Sequence, residues 1–336
     1  MDFSKPILGN QLNGLLRRML NILAITTPIF LIIGLGYFAV YSNIVPQNVA
    51  RGMGAFVMNF ALPCLLIRAM AQRDISEVIE PIFVLAYGGG SLVVFAIGYF
   101  YALKIAKKKQ PNATLQGTGM SFCNSGFIGY PIALQLLGPA AEVGLALCVM
   151  IETLVMMPLA MVLGDSGENE GLSKGRVLRK AFLNLAKSPI ILGIVAGLII
   201  SLSGITLPRP LFTAVDMLAS ASGPVALFVI GAGLVGLKLK GLRADLARVV
   251  TGKLLLHPLA VFMMVWLLPD IDPIMQIACV SFACSPMLSI FPILGQRYGH
   301  EGLCAASLMV ATALSFITIS TVLWLLDMTQ VFGPLP

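Results

Sequence analysis

The chain has 336 residues, of which 58% are hydrophobic and only 11% are charged, and its mean hydropathy is +0.93. Soluble domains are about one-quarter charged, and no hydrophilic stretch here is long enough to form one. The composition therefore predicts an all-α polytopic membrane protein. The net charge of +7 does not indicate nucleic-acid binding, because the basic residues lie in short loops between apolar segments.

Apolar windows of about 20 residues are long enough to cross a membrane. The first window is too long for the apolar region of a signal peptide and lacks a small-residue cleavage site. The sequence predicts ten spans, with these bounds: 19–40, 50–71, 81–103, 112–137, 141–163, 180–202, 210–236, 247–268, 273–296 and 302–326.

Basic residues are concentrated in three loops that would share one side of a ten-span chain: Lys104, Lys107, Lys108 and Lys109; Lys174, Arg176, Arg179 and Lys180; and Lys238, Lys240, Arg243 and Arg248. Cytoplasmic loops are enriched in Lys and Arg, so both termini are predicted on the non-cytoplasmic side. The opposite loops offer only Arg68, Arg73 and Arg209, although Lys5, Arg17 and Arg18 favour the reverse orientation.

An internal repeat occurs at an offset of about 161 residues, at which Pro131 matches Pro292. Other matches keep their order: Pro46 with Pro208, Pro63 with Pro224, Ser121-Phe122-x-x-Ser125 with Ser281-Phe282-x-x-Ser285, Gln135 with Gln296, and Gly138 with Gly299. Each copy holds five spans, so the second must enter the membrane from the opposite side. The sequence predicts two inverted repeats, 1–168 and 169–336, as in many secondary transporters.

The fourth and ninth predicted spans, which match in the repeat, both contain helix-breaking residues. The fourth includes SFCNSGFIGYPIALQLLG (121–138) and the ninth SFACSPMLSIFPILGQRYG (281–299). Proline and glycine interrupt helices, and freed backbone groups are tolerated at membrane depth only inside protein or an aqueous cavity. Two matched breaks predict broken helices meeting at one polar site, where half-helix N-termini favour an anion. Proline kinks needed only for packing are the alternative.

The predicted substrate site consists of residues at these two breaks: Asn124, Ser125, Gly126, Gly129, Tyr130 and Pro131, with Ser285, Pro286, Ser289 and Pro292. Asn124 is the leading contact because its amide both donates and accepts, and it could also cap the half-helix. The serines line the cavity or bond back to their own helices. The glycines allow close crossing.

The chain resembles the auxin efflux carrier family, which includes plant carriers and bacterial carriers of malonate or malate. The resemblance covers nearly the whole chain and rests on Phe56-x-x-x-Phe60-Ala-Leu-Pro63-x-Leu65, Asn124-Ser-Gly-Phe-Ile-Gly-Tyr-Pro131, Lys253-x-x-x-His257-Pro258 and the doubly broken ninth span. It implies crossing of helices four and nine at the midplane, a homodimer in the inner membrane, and elevator-like movement. Helices one, two, six and seven would form a scaffold, and helices three to five and eight to ten would move.

The chain also departs from the plant pattern. Its third span has no ionisable group except tyrosines, and residues 164–180 are far shorter than the long plant loop. Auxin is therefore not the expected substrate, and proton coupling does not transfer by position.

Three ionisable residues inside predicted spans are candidates for coupling or charge balance. Glu152 could carry a proton or attract a cation, or pair structurally with Lys253 or another polar group. Lys253 could balance an anionic substrate or extend to the membrane surface. His257, one turn from Lys253, could titrate or serve as a hydrogen-bonded structural residue. Asn59 is expected to bond between helices.

The sequence predicts a secondary carrier of a small organic anion of the carboxylate class, coupled to protons or driven by the membrane potential. A sodium-coupled carrier of the bile-acid symporter type is the main alternative, and a channel or receptor is a weaker one. The six cysteines lie in apolar segments without metal-ligand spacing, and HExxH, paired aspartates, a Ser/His/Asp set and Walker A are absent. No enzyme activity, catalytic residue, metal or cofactor is therefore expected.

Overall fold

The computed structural model describes residues 5–71, 80–165, 183, 187–205, 207–236, 243–269 and 271–335. Regular structure in these residues is helical, apart from one isolated bridge between Val331 and Gly333. The predicted repeat boundary at 168/169 lies outside the described residues. So do several of the loop charges used to predict orientation: Arg73, Lys174, Arg176, Arg179, Lys180, Lys238 and Lys240.

Twelve helices of the described residues are numbered here in chain order: α1 (Lys5–Tyr41), α2 (Gln47–Ala71), α3 (Pro81–Ile105), α4 (Gln110–Ser121), α5 (Tyr130–Leu137), α6 (Ala140–Asp165), α7 (Pro189–Ser203), α8 (Arg209–Gly233), α9 (Ala244–Leu267), α10 (Pro273–Ala283), α11 (Phe291–Arg297) and α12 (Glu301–Thr329). Seven of them are long and apolar enough to span a membrane, namely α1, α2, α3, α6, α8, α9 and α12. The all-helical, multi-pass prediction is confirmed at this level. Ten crossings in two inverted repeats stay a prediction.

The predicted fourth and ninth spans are not continuous helices. The fourth consists of α4 and α5, separated by residues 122–124 and a π turn at Ser125–Gly129. The ninth consists of α10 and α11, separated by residues 284–290. Residues 122–124 are called the first interruption below, and residues 284–290 the second interruption.

Four π turns of the described helices end two residues before a proline: Val57–Ala61, Ser125–Gly129, Glu152–Met156 and Gly252–Leu256, before Pro63, Pro131, Pro158 and Pro258. In each, the residue just before the proline donates its N–H five residues back, as His257 does to the Gly252 carbonyl. Because proline has no N–H and its ring crowds the preceding turn, the wider turn relieves the clash. Glu152 and Lys253 lie in two of these turns.

The helices that correspond to the predicted scaffold, α1, α2, α7 and α8, pack on one another. Gly36 of α1 lies against the Phe228 backbone, and Gly231 of α8 lies against the Ile33 carbonyl, so a Cβ at either position would overlap main-chain atoms. Small residues allow this close approach of helix backbones. Elsewhere α3 lies along α9 and α4, and α11 lies along α12. The division into scaffold and mobile helices stays a prediction.

Candidate functional site

The first interruption leaves helical geometry at Phe122, whose backbone is extended (φ −85°, ψ 145°). The chain resumes in the π turn, where the Asn124 carbonyl accepts hydrogen bonds of 3.0 Å from both Ile128 N and Gly129 N. The Asn124 side chain does not cap this turn, so the alternative role as a helix cap is wrong. Its amide Nδ2 is buried and has no hydrogen-bond partner among the described residues.

The two interruptions are in direct contact. The Asn124 N–H donates to the Pro286 carbonyl at 2.8 Å. Gly129 packs so closely on Phe282 and Ser285 Oγ that a Cβ would overlap both. The Ser285 hydroxyl is fully buried and, within the described part of the chain, lacks a hydrogen-bond partner. An unpaired buried polar group costs about 1–3 kcal/mol, so these two donors, one on each of the contacting interruptions, are candidates for binding a polar ligand.

A carboxylate lies beside the first interruption. Glu152 Oε1 accepts hydrogen bonds from the Tyr87 hydroxyl at 2.6 Å and from Ser125 Oγ at 2.7 Å. The residue is only 7% exposed. Ser125 therefore bonds to Glu152 and does not bond back to its own helix. No ion pair joins Glu152 to Lys253 within the described residues. Of the two predicted structural pairings, the contacts match the one with other polar groups, here Tyr87 and Ser125.

A lysine lies beside the second interruption. Lys253 is completely buried, so extension to the membrane surface is wrong. Its Nζ donates to Cys123 Sγ at 2.8 Å, to His257 Nδ1 at 2.7 Å and to the Ala283 carbonyl at 3.2 Å. Ala283 ends α10, where carbonyls lack helical partners and the helix dipole favours a cation.

His257 takes the hydrogen-bonded role that was one of its two predicted alternatives. Since Nδ1 accepts from Lys253, the ring hydrogen is assigned to Nε2, which is 2.9 Å from Ser91 Oγ. This assignment makes the imidazole neutral and fixes its orientation between α9 and α3. His257 therefore positions Lys253, and its Nδ1 also lies 3.6 Å from Cys123 Sγ in the first interruption.

Other predicted site residues of the fourth span contact neighbouring helices or are buried. Tyr130 is buried at the start of α5, Pro131 faces Gly223 of α8, and Gly126 packs on Leu62 of α2. Asn59 donates to the Ala55 carbonyl of its own helix, so the predicted interhelical bond is wrong.

Ser289 and Pro292 line a cavity of about 480 Å³ between α2, α8 and the second interruption. Its walls are mostly apolar, and Phe127 of the π turn contributes to them. Arg51 of α2 is the cationic residue in this lining. The cavity therefore connects the second interruption with one end of the α2–α8 pair.

Several contributors were missed from the sequence. Tyr87 and Ser91 lie in a third span without charged residues, so the sequence gives no signal for them, and Cys123 has only the signature of a small buried residue. The three consecutive glycines between Tyr87 and Ser91 (Gly88, Gly89 and Gly90) could have indicated a closely packed helix face. Among the described residues, no group of three or more His, Cys, Asp or Glu side chains could hold a metal ion.

The sequence is similar to a family of membrane transport proteins. A family model described as "Membrane transport protein" matches residues 22–325. The "Putative malonate transporter" of Rhizobium meliloti (strain 1021) is 28% identical over 309 residues, which cover 92% of this chain and 97% of that protein.

Two further relatives are more distant or more partial. The "Uncharacterized transporter YfdV" of Escherichia coli (strain K12) is 25% identical over 248 residues, covering 70% of this chain and 76% of that protein. The "Lysosomal cholesterol signaling protein" of Mus musculus is 26% identical over 282 residues, covering 76% of this chain and 32% of that protein. The chain therefore belongs to the membrane transport protein family, the auxin efflux carrier family that its motifs resemble.

Proposed function

We propose that this transporter is a secondary carrier of a small organic anion of the carboxylate class. Transport would cross the cytoplasmic membrane by elevator-like alternating access, coupled to protons, in a homodimer. The family and the relative named for malonate support the substrate class. The sequence carries no ATP-binding motif to supply another source of energy.

The observation that carries the proposal is the pair of unpartnered donors where the interruptions meet. Asn124 Nδ2 and Ser285 Oγ are buried, and the Asn124 N–H bond to Pro286 holds their segments together. Hydrogen bonds to a charged acceptor are shorter and stronger than neutral ones. A carboxylate accepting from both donors would satisfy them and bridge the two interruptions.

Two charged residues near the interruptions, Lys253 and Glu152, would act on transport in different ways. Lys253 places a cationic group against the last carbonyl of α10, within the same polar region. Buried charge of this kind offsets the cost of bringing an anion out of water. Glu152 contacts the first interruption through Ser125, so a proton gained by Glu152 would change the hydrogen bonds of the segment that holds Asn124.

Counterflow of radiolabelled malonate in proteoliposomes tests the proposal. Asn124→Ala and Ser285→Ala each remove one donor and are expected to raise the half-saturating malonate concentration, more so together. Ser307→Ala is the matched control, because it removes from α12, outside both interruptions, a buried hydroxyl that has no hydrogen-bond partner among the residues the structure describes.

Full malonate affinity in both site variants would refute the site. If the wild type does not exchange malonate, a panel of other mono- and dicarboxylates is screened by thermal shift and the variants are tested with the best binder. Uptake that requires sodium at constant pH would favour the sodium-coupled alternative over proton coupling.

A further inference from the structure

Helices α2 and α8 border the cavity at one end and carry ion pairs of Arg68 at the other. Residues 50–58 of α2 and 229–234 of α8 line the cavity. Arg68 of α2 and Asp216 of α8 lie at the opposite end, so the two helices are antiparallel. At 1.5 Å per residue, roughly 25 Å of helix separates Arg51 at the cavity from Arg68. The cavity and the ion pairs of Arg68 therefore lie at opposite ends of α2 and α8.

Arg68 joins three helices at the closed end. Its Nη2 donates to Glu142 Oε1 of α6 at 2.6 Å, and its Nη1 donates to Asp216 Oδ1 of α8 at 2.5 Å. The Arg68 and Glu142 side chains are only 15% and 10% exposed, whereas Asp216 is 48% exposed. The Glu142 pair is thus largely withdrawn from water, and the Asp216 pair is well solvated.

The two ion pairs differ in which helices they connect. Arg68–Asp216 connects α2 with α8, both on the predicted scaffold side. Arg68–Glu142 connects α2 with α6, which carries Glu152 and belongs to the predicted mobile helices. Movement of the predicted mobile helices relative to the predicted scaffold would leave Arg68–Asp216 intact and separate Arg68 from Glu142. Separating a desolvated pair is costly because each charge loses its partner.

We infer that the Arg68–Glu142 ion pair is a gate. In this conformation it would close the substrate's access along α2 and α8 at the end opposite the cavity. By the predicted topology this is the non-cytoplasmic end. The inference rests on the proposed carrier function, because alternating access requires one end to be shut while the other is open. Arg68 and Glu142 act as positioning residues, holding α6 against α2.

Two cysteine reporters test the gate in the full-length protein in oriented membrane vesicles. Ala219→Cys lies on α8 at the closed end and is 2% exposed; Ala55→Cys lines the cavity. Cys64 is changed to serine, because it alone among the described cysteines is not buried. Labelling by a membrane-impermeant maleimide, applied from each side in turn, reports which end is accessible.

Glu142→Gln removes the cross-interface charge without changing side-chain size. It is expected to accelerate labelling at Ala219→Cys about fivefold or more and to slow labelling at Ala55→Cys. A fivefold change is at the lower end of the coupling typically found between two sites of a protein. Arg68→Gln should shift both rates in the same directions. Glu142→Asp, which keeps the charge, should remain closer to the wild type than Glu142→Gln.

Asp216→Asn is the matched control, since it removes a carboxylate from the same arginine within the predicted scaffold. An exposed pair contributes little, so both labelling rates should stay within about twofold of the wild type. Unchanged rates in Glu142→Gln, or faster labelling at both reporters together, would overturn the gate. Labelling needs no substrate, so that failure leaves the anion site standing, and loss of the anion site is detected only by counterflow.

Discussion

The two interruptions share a sequence motif but differ in their charged neighbours. Ser125, after the first interruption, contacts Glu152. Lys253 contacts both segments, through Cys123 of the first interruption and the Ala283 carbonyl just before the second. The repeat does not extend to these charges, because the residues about 161 positions away are Ala313 and Leu92. The helix interruptions are therefore matched in the repeat, whereas the charged residues beside them are not. This difference comes from single residues on neighbouring helices.

The second difference concerns access. Asn124 and Ser125, at the first interruption, are buried, whereas Ser289 and Ile290 of the second interruption reach the cavity. In the repeat, Asn124 also corresponds to Cys284, so the side-chain amide has no equivalent on the second side. We expect the first interruption to set affinity and the second to admit the anion.

The largest expected effect is that of Lys253→Met, which tests whether the cation beside the second interruption serves transport. Malonate counterflow should fall roughly hundredfold or more, because an uncompensated anion in a low-dielectric site costs several kcal/mol. The fold should persist, since methionine has a similar length and no charge to bury. Thermal unfolding of the detergent-solubilised protein provides the control, and wild-type counterflow would make Lys253 purely structural.

Next in size is the contrast between Asn124→Ala and Cys284→Ala, at matching positions of the two interruptions. Loss of a hydrogen bond to a charged ligand costs about 1.5–3 kcal/mol, so Asn124→Ala should weaken malonate binding roughly tenfold to hundredfold. Cys284→Ala should change the affinity much less. Equal effects in an isothermal binding assay would remove the proposed asymmetry.

Glu152→Gln tests whether Glu152 carries the coupled proton, by measuring the pH dependence of uptake. One proton moving across one pH unit supplies about 1.4 kcal/mol, which corresponds to at most about tenfold more accumulation in the wild type. Acidification on the side from which the anion enters should raise wild-type accumulation. The variant cannot bind that proton, so its accumulation should not respond to the gradient, while exchange counterflow continues.

Glu301→Gln, an exposed carboxylate at the start of α12, is the matched control for this experiment. It should keep the wild-type response to pH. A Glu152→Gln protein with an undiminished response would assign coupling to another group.

The smallest effect is expected from Ser289→Ala, which alters the wall of the cavity without touching Asn124. Ser289 is half-buried and borders solvent-accessible space, so its substitution should change the half-saturating malonate concentration about twofold or less. A loss as large as that of Asn124→Ala in the same counterflow assay would move the binding site from the crossing into the cavity.

Local features of the site were predictable from the sequence. Gly126, Gly129 and Pro131 predicted an interruption, and the spacing of Lys253 and His257 predicted that they share one helix face. These conclusions depend only on backbone preference and helical periodicity. The matched motif around Ser285 indicated the partner segment.

The long-range partners could not be predicted in the same way. Cys123 and the Ala283 carbonyl meet Lys253 only after three helices pack, and neither group has a sequence signature for binding an amine. Tyr87 reaches Glu152 across α3 and α6 because of the glycine-rich surface of α3. Arg68 was counted as a loop charge, whereas packing buries it against Glu142.

A structure of the transporter determined with a bound carboxylate tests the anion site most directly. We expect the carboxylate oxygens to lie within hydrogen-bond distance of both Asn124 Nδ2 and Ser285 Oγ, with Lys253 still on the Ala283 carbonyl. An anion held elsewhere, with both donors left unpaired or occupied by protein groups, would contradict the account.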